Sequence, residues 1–350
     1  MQNLLITGGS GFIGLNFIRY LLTETDFRGR VINFDKLTYA ANPQSLSDVE
    51  DKFPDRYIFI KGDIADSAKL ESAFDSYSVD AVCHFAAESH VDRSISGPWE
   101  FINTNIIGTY NLLEAVRERE SRIELFHHIS TDEVFGSLGE EGYFTEDTPY
   151  SPNSPYSASK ASSDHLLRAY HKTYGIPVKV SNCSNNYGPF QFPEKLIPLV
   201  ILNALEEKPL PVYGDGKNIR DWLYVRDHCA AVWEIMKRGT VGQTYNIGGS
   251  GELENIRVVE TICDLIDDSQ GKPKTVESRR ELITFVKDRP GHDRRYAIDS
   301  AKLRGELGWE PEESFSSGIV KTLNWYLDNS DWVRNVRSGE YRVWIKKHYG

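Results

Sequence analysis

The stretch Thr7-Gly8-Gly9-Ser10-Gly11-Phe12-Ile13-Gly14 constrains the fold of this chain more than any other. It follows a short apolar run, Asn3 to Thr7, that reads as a buried strand. It opens an amphipathic run from Gly11 to Leu22 that reads as a helix. Gly9, Gly11 and Gly14 satisfy G-x-G-x-x-G, and Gly8, Gly11 and Gly14 give a second glycine frame. Glycines at these places permit a tight turn, a close approach of backbone to a pyrophosphate, and close packing of helix on strand. The free N–H groups at the helix start then face the anion. Strand, glycine turn and helix in this order predict the first unit of a doubly wound α/β fold that binds a dinucleotide.

The rest of the first half agrees. Val31 to Asp35, Tyr57 to Lys61, Ala81 to Phe85 and Glu124 to Ser130 read as apolar strands, with a helix over Thr104 to Glu118. Continuous apolar strands alternating with helices indicate a parallel sheet covered on both faces, linked by right-handed crossovers. The second half is less regular. Pro and Gly are dense from Pro189 to Gly216, a helix is expected near Asp227 to Arg238, and Asp267 to Arg280 is a polar stretch. The expected architecture is a Rossmann-type parallel sheet with a smaller, mixed α/β C-terminal substrate domain. The first comprises residues 1–183 with the chain returning at about 215–245; the second comprises 184–214 and 246–350.

Composition narrows the class. The chain has 350 residues, 40% hydrophobic, which is enough for a core without a disulfide staple. The net charge of −11 argues against nucleic acid as a partner, and the nearest basic cluster, Arg289 to Arg295, has acidic residues mixed into it. The four cysteines are far apart with no C-x-x-C pair, so no metal site or disulfide framework is expected. Leu4 to Ile6 is too short for a membrane span or signal segment, so the cytoplasm is the expected compartment, with no membrane partner.

Asp35 ends the second strand, about 20 residues after Gly14, where a carboxylate binds the adenine ribose hydroxyls. Its charge would repel a 2′-phosphate and favours NAD over NADP, although the adjacent Lys36 tempers that preference. Asp63-Ile64 after the third strand is placed to cap an adenine. Ala86-Ala87-Glu88-Ser89 falls at the carboxyl edge of the sheet, where ligands bind in open α/β folds. Tyr156 and Lys160 stand four apart and share a helix face. A nearby ammonium lowers a tyrosine from its usual pKa of about 10 and makes it a base near neutrality. Ser130-Thr131-Asp132-Glu133-Val134 puts a hydroxyl and two carboxylates at a strand end. Neighbouring carboxylates push their pKa values apart, which suits paired acid and base work. The same four residues also read as a helix N-cap with its capping acids.

Taken together, these motifs resemble the extended short-chain dehydrogenase/reductases, and most closely the dTDP-glucose 4,6-dehydratase family, over essentially the whole chain. Further matching segments are Asp35-Lys36-Leu37-Thr38-Tyr39, His90-Val91-Asp92-Arg93-Ser94 and Ser184-Asn185-Asn186-Tyr187-Gly188-Pro189. Phe192-Pro193-Glu194-Lys195-Leu196-Ile197-Pro198, Arg220-Asp221-Trp222 and Asp288-Arg289-Pro290-Gly291-His292-Asp293-Arg294-Arg295 complete the set. The resemblance implies oxidation of the sugar at carbon-4, loss of water across carbons 5 and 6, and re-reduction at carbon-6 with recycled, tightly held NAD.

By resemblance Tyr156 is the base for the 4-hydroxyl, Glu133 takes the carbon-5 proton and Asp132 protonates the departing 6-hydroxyl. Thr131 binds the 4-oxygen, and Lys160 tunes Tyr156 and holds the nicotinamide ribose. The implied cofactor contacts are Gly8, Gly11, Phe12, Ile13, Gly14, Asp35, Lys36, Leu37, Thr38, Asp63, Ile64, Phe85, Ala86, Ala87, Ser89, Thr104, Tyr156, Lys160 and Asn186. The implied substrate contacts are Ser89, Thr131, Asp132, Glu133, Asn185, Glu194, Lys195, Leu196, Pro211, Tyr213, Arg220, Asn255, Arg289 and His292. A homodimer through the Thr104 to Glu118 and Tyr156 to Tyr174 helices is also implied. Phe135 stands where the family commonly has tyrosine, Ala41 where it often has glycine, and the segment after Gly136 is short. The rival readings are a nucleotide-sugar 4-epimerase, which has no work for Asp132 and Glu133, and a non-catalytic regulator that binds NAD or a sugar nucleotide.

Overall fold

A computed structural model describes residues 1–339; the last part of the expected second domain, 340–350, lies outside the described residues. Twelve strands run β1 (Asn3–Thr7), β2 (Arg30–Asp35), β3 (Tyr57–Lys61), β4 (Ala81–His84), β5 (Leu125–Thr131), β6 (Val178–Cys183), β7 (Asn185–Tyr187), β8 (Leu210–Tyr213), β9 (Ile219–Tyr224), β10 (Thr244–Ile247), β11 (Glu252–Glu254) and β12 (Ile283–Val286). Seven form one parallel sheet in the order β10-β6-β5-β4-β1-β2-β3.

Alternation along each strand divides the sheet's side chains between two cores. Leu4 and Ile6 pack with Phe17, Ile18, Leu21, Val232 and Ile235 on one face. Leu5 packs with Ile32, Phe34, Leu70, Leu112 and Val116 on the other. Each such side chain, when fully buried, stabilises by about 1.5–3 kcal/mol. Strand order reverses between β1 and β4, so the crevice at their carboxyl ends is the topological switch point where open α/β sheets bind ligands.

The smaller elements stand over that end. β11-β9-β7 form one sheet and β12-β8 another. They share a third core in which Ile201, Leu210, Val259, Ile262, Ile319 and Leu323 are buried. Within the returning segment, β9 belongs to this lobe, whereas the helix Val225–Arg238 packs on the first helix, Phe12–Thr23, and β10 joins the large sheet. No helix among the described residues is long and apolar enough to cross a membrane.

Two expectations need correction. The stretch expected as one helix over Thr104 to Glu118 begins as a π-helical turn, Ile102–Ile107, and becomes α-helical only over Gly108–Arg117. The Asn105 side chain accounts for the widened turn, because it leaves the helix's own pattern. It accepts from Glu88 N at 2.8 Å and donates to Glu88 O at 3.0 Å and Ser159 Oγ at 2.8 Å. The polar stretch from Asp267 starts inside a helix, Asn255–Gln270, whose buried face is Val258, Val259, Ile262, Cys263 and Ile266. Arg279, buried, then closes the following loop onto Asp267 at 2.6 Å.

Candidate active site

The glycine turn folds as its sequence demands. Gly8 has φ +72° and its N–H bonds Phe34 O across to β2. A Cβ there would lie 2.5 Å from Ala86 N, and one on Gly14 would lie 2.3 Å from Gly8 O. Only glycine lets the turn, the first helix and the loop after β4 come this close. Asp35 is buried at the end of β2 and accepts the N–H groups of Ser10 at 2.9 Å and Leu37 at 2.7 Å. Burial pushes its carboxyl up, and those two N–H groups pull against that shift. Lys36 pairs with Asp63 at 2.8 Å.

A cleft of about 310 Å³ opens above these groups. Gly8, Gly11, Phe12, Ile13, Gly14, Asp35, Lys36, Thr38, Asp63, Ile64, Phe85, Ala86, Ala87, Ser89, Thr104 and Asn186 all line it. A glycine cradle, a fixed carboxylate and an open crevice at the switch point fit a dinucleotide. Leu37 is not on the wall; in a left-handed backbone conformation (φ +59°), it contributes through its N–H to Asp35.

The reactive groups meet at the far end of the same cleft. β5 runs to Thr131, whose extended backbone caps a short 3-10 turn, Asp132–Phe135. Thr131 Oγ1 accepts Glu133 N–H at 3.3 Å and donates to Asp132 Oδ1 at 3.4 Å. The capping and the acid/base readings of this segment are therefore both true, because the cap is what points the two carboxylates. Asp132 is 2% exposed and its Oδ2 is buried without a partner. Burial, then the charges of Glu133 and Asp221, push its carboxyl well above the usual range. Burial also raises Glu133, but three cations oppose it, Arg289 first and then Arg220 and Lys195. One carboxyl is thus held as an acid beside another that cations favour as a base.

The helix Pro155–Tyr174 sets Tyr156 and Lys160 against this pair. Ser154 and Ser157 form a reciprocal capping box, Pro155 takes the first turn, and Gly175 ends the helix with φ +74°. Tyr156 is buried, edge-on to Phe101 with ring centroids 6.3 Å apart. Lys160 Nζ donates to Ile129 O at 2.8 Å and faces His128 Nε2 at 3.2 Å. The expectation that Lys160 lowers the Tyr156 pKa is not met in this state. Burial and then the Glu133 charge push the phenol well up, with only the Thr131 hydroxyl hydrogen bond pulling down among its leading influences. Lys160 itself is pushed down to about 8 by burial.

The expected substrate contacts divide into two groups. Ser89, Asn185, Glu194 and Lys195 are on the cleft wall with Thr131 and Glu133, and Lys195 Nζ donates to Ser89 O at 3.3 Å. The others line the opposing lobe. Arg220 is stacked 4.1 Å over the Tyr296 ring and donates to Asp293 O at 2.9 Å. Arg289 pairs with Asp92 at 3.2 Å, and Tyr213 donates its hydroxyl to the other oxygen of Asp92 at 3.1 Å. His292 lies edge-on to Tyr213 and pairs with Asp288 at 2.6 Å. Asn255 opens the helix Asn255–Gln270 with its side-chain oxygen buried and unpartnered. Leu196 and Pro211 are not on the wall: Leu196 packs against the third core and Pro211 lies within β8.

Sequence reasoning left out several groups on the wall, among them Glu88, Ser184, Gln191 and Phe192. Each adjoins or nearly adjoins a residue that a motif had already picked out, and that adjacency was the available signal.

Known proteins share this arrangement. The family model described as GDP-mannose 4,6 dehydratase matches residues 5–322. A curated dTDP-glucose 4,6-dehydratase of Neisseria meningitidis serogroup B is 57% identical over 352 residues, covering 98% of each chain. The solved dTDP-glucose 4,6-dehydratase of Bacillus anthracis, in complex with NAD, superposes with a TM-score of 0.85 at 47% identity, over 96% of this chain and 100% of that one. The one from Streptomyces venezuelae, also solved with NAD bound, gives 0.87 at 44%, over 95% and 98%. Full-length identity at this level, on a cleft with an acid and a base side by side at the end of β5, means that the chain belongs to the dTDP-glucose 4,6-dehydratase family.

Proposed function

We infer that the chain is an NAD-dependent hydro-lyase that converts dTDP-glucose to dTDP-4-keto-6-deoxyglucose, a step toward deoxysugars such as rhamnose. The observation that carries this reading is the contrast between Asp132, buried and held protonated, and the adjacent Glu133, surrounded by cations. Eliminating a poor leaving group needs an acid and a base together. When bound, NAD accepts a hydride from carbon-4 and later returns it to carbon-6.

The chain's own residues handle the protons. Tyr156 takes the proton of the 4-hydroxyl, with Thr131 bonding the 4-oxygen and Lys160 supplying positive charge. The resulting ketone acidifies carbon-5, whose proton goes to Glu133. Asp132 gives its proton to the 6-hydroxyl, which leaves as water. Glu133 returns its proton to carbon-5 as carbon-6 is reduced. Asp35 and the glycine turn hold the dinucleotide. Arg220, Arg289 and Lys195 bind the diphosphate, for which guanidinium offers bidentate hydrogen bonds. Ser89, Asn185, Glu194, Asn255 and His292 hold the remaining polar groups, and Tyr213 shapes the base pocket.

In this reading the lobe built on β7, β9 and β11 is the nucleotide-sugar domain, and the enzyme works in the cytoplasm as a homodimer. Trp99, Ile102, Ile107, Tyr110 and Tyr174 present exposed apolar area on the two helical segments expected to pair, which supports the dimer. Purified protein incubated with dTDP-glucose and no added NAD should yield a product lighter by one water, with the alkali-induced absorbance of a keto-sugar. An unchanged mass after NAD is also supplied would refute the reading.

A further inference from the structure

Asp164 lies one helical turn beyond Lys160 and has no part in the chemistry described above. Its side chain is 4% exposed. Oδ2 accepts the hydroxyls of Ser130 at 2.7 Å and Tyr150 at 3.0 Å, and Oδ1 is 3.3 Å from His128 Nε2. That same ring nitrogen is 3.2 Å from Lys160 Nζ. The imidazole thus stands between an ammonium and a carboxylate, all three in the interior. Its other nitrogen, Nδ1, is buried and unpartnered. A lone ammonium at this depth would be costly, and so would a lone carboxylate. A linked pair makes each tolerable. A neutral ring can satisfy only one of the two through Nε2 at a time, as acceptor for Lys160 or as donor to Asp164.

The surrounding groups leave Asp164 as the main electrostatic support of Lys160. From its own helix Lys160 has Tyr156 and Asp164. From β5 it has His128 and the Ile129 carbonyl, and from β6 the Cys183 thiol. On β4, His84 has its ring 5.0 Å from that of His128. Burial holds both imidazoles far below their ordinary pKa, so neither carries charge near neutrality. His165, next to Asp164, packs on Tyr150 with ring centroids 5.4 Å apart.

We propose that Asp164 is a positioning residue: through the His128 ring it anchors the Lys160 ammonium, and its negative charge keeps Lys160 protonated where Tyr156 and the cofactor need a cation. The proposal rests on the dehydratase reading only for what Tyr156 and Lys160 do. Burial lowers Lys160 to about 8, and the Asp164 charge is the first influence opposing it. Asp164 is pushed up to about 6 by burial, and Lys160 and the two hydroxyls pull it down. Without the carboxylate, Lys160 gives up its proton at a lower pH.

The test replaces Asp164 by the near-isosteric asparagine, Asp164→Asn. Two pH profiles are measured: kcat/KM with dTDP-glucose, and the fraction of bound NAD retained through gel filtration. The second reads Lys160 even if the sugar substrate is wrong. The alkaline limb of each should move down by about one pH unit or more, with acid-side values within a few-fold of wild type, and Asp164→Glu should restore the limb. A uniform loss at every pH, with the limb in place, would overturn the proposal, as would no change. Should the asparagine variant fail to fold, Tyr150→Phe removes one donor to the carboxylate. It must shift the limb the same way by a smaller amount, and an unmoved limb there is equally fatal. Wild-type protein that retains NAD but leaves dTDP-glucose intact would sink the dehydratase reading, and the NAD profile would still decide the role of Asp164.

Discussion

The two ends of the cleft are built differently. The cofactor end is assembled from consecutive loops after β1, β2, β3 and β4, and its decisive contacts are short-range and backbone-made. Asp35 is held by the N–H groups of Ser10 and Leu37, and the turn is closed by Gly8. The substrate end is assembled by side chains from distant segments. Asp92 reaches Arg289, 197 residues away, and Tyr213, 121 residues away. A site made of backbone tolerates no change of shape but is indifferent to much of its charge. A site made of long side chains tolerates changes of shape and is governed by charge.

Four experiments press on that contrast, from the largest expected effect to the smallest. Glu133→Gln keeps the volume and removes the base at the junction of the two ends. It should lower kcat by about 10²–10⁴-fold, while substrate still reduces the bound cofactor, seen as nicotinamide absorbance. An epimerase would barely respond, so full turnover would favour that rival. At the cofactor end, Gly14→Ala forces a Cβ to within 2.3 Å of the Gly8 carbonyl. Bound NAD should be lost on purification, and thermal unfolding should register an overpacking cost of about 1–3 kcal/mol. Retention of NAD by that variant would mean that the turn yields, and the contrast would weaken.

Arg289→Lys tests the side-chain end. It keeps the charge and removes the bidentate fork, so KM for the nucleotide sugar should rise about tenfold, or roughly 1.4 kcal/mol, with NAD retention unchanged. Loss of NAD there would show that the two ends are not independent. The smallest effect concerns stability. The folded-state pKa of Asp132 is raised above its unfolded value. The native state therefore holds a proton that the unfolded chain releases, and the contribution is present at low pH and fades as pH rises through that window. Asp132→Asn removes this dependence. Its Tm should exceed that of wild type by a few degrees at neutral and alkaline pH and converge with it in acid. Parallel Tm–pH curves for the two proteins would mean that Asp132 is ionised at rest.

The same contrast accounts for what the sequence disclosed. Asp35 was readable because a carboxylate at the end of the second strand has one geometric consequence, and the structure places it in the cleft. Thr131 was readable in two ways, and hydrogen bonds to both the Glu133 N–H and Asp132 show why the two merge. The direction of the Tyr156 shift was missed because spacing shows that Lys160 is near but not that Ile129 and His128 hold its ammonium. Asp92 and Asp164 were beyond reach for a similar reason. Their partners are set by how a loop or helix packs on β5 and on the opposing lobe, and no local period encodes that.

The π-helical turn at Ile102–Ile107 has an implication for how this chain can change. A widened turn absorbs one extra residue, so it acts as a phase shifter between the segment before it and Gly108–Arg117 after it. Deleting a single residue there would rotate everything downstream by about 100°. Leu112, Leu113 and Val116 would swing out of the core and Tyr110 in toward it. A one-residue deletion in this turn would therefore damage the protein more than most substitutions within it, and length at this position should be harder to alter than composition.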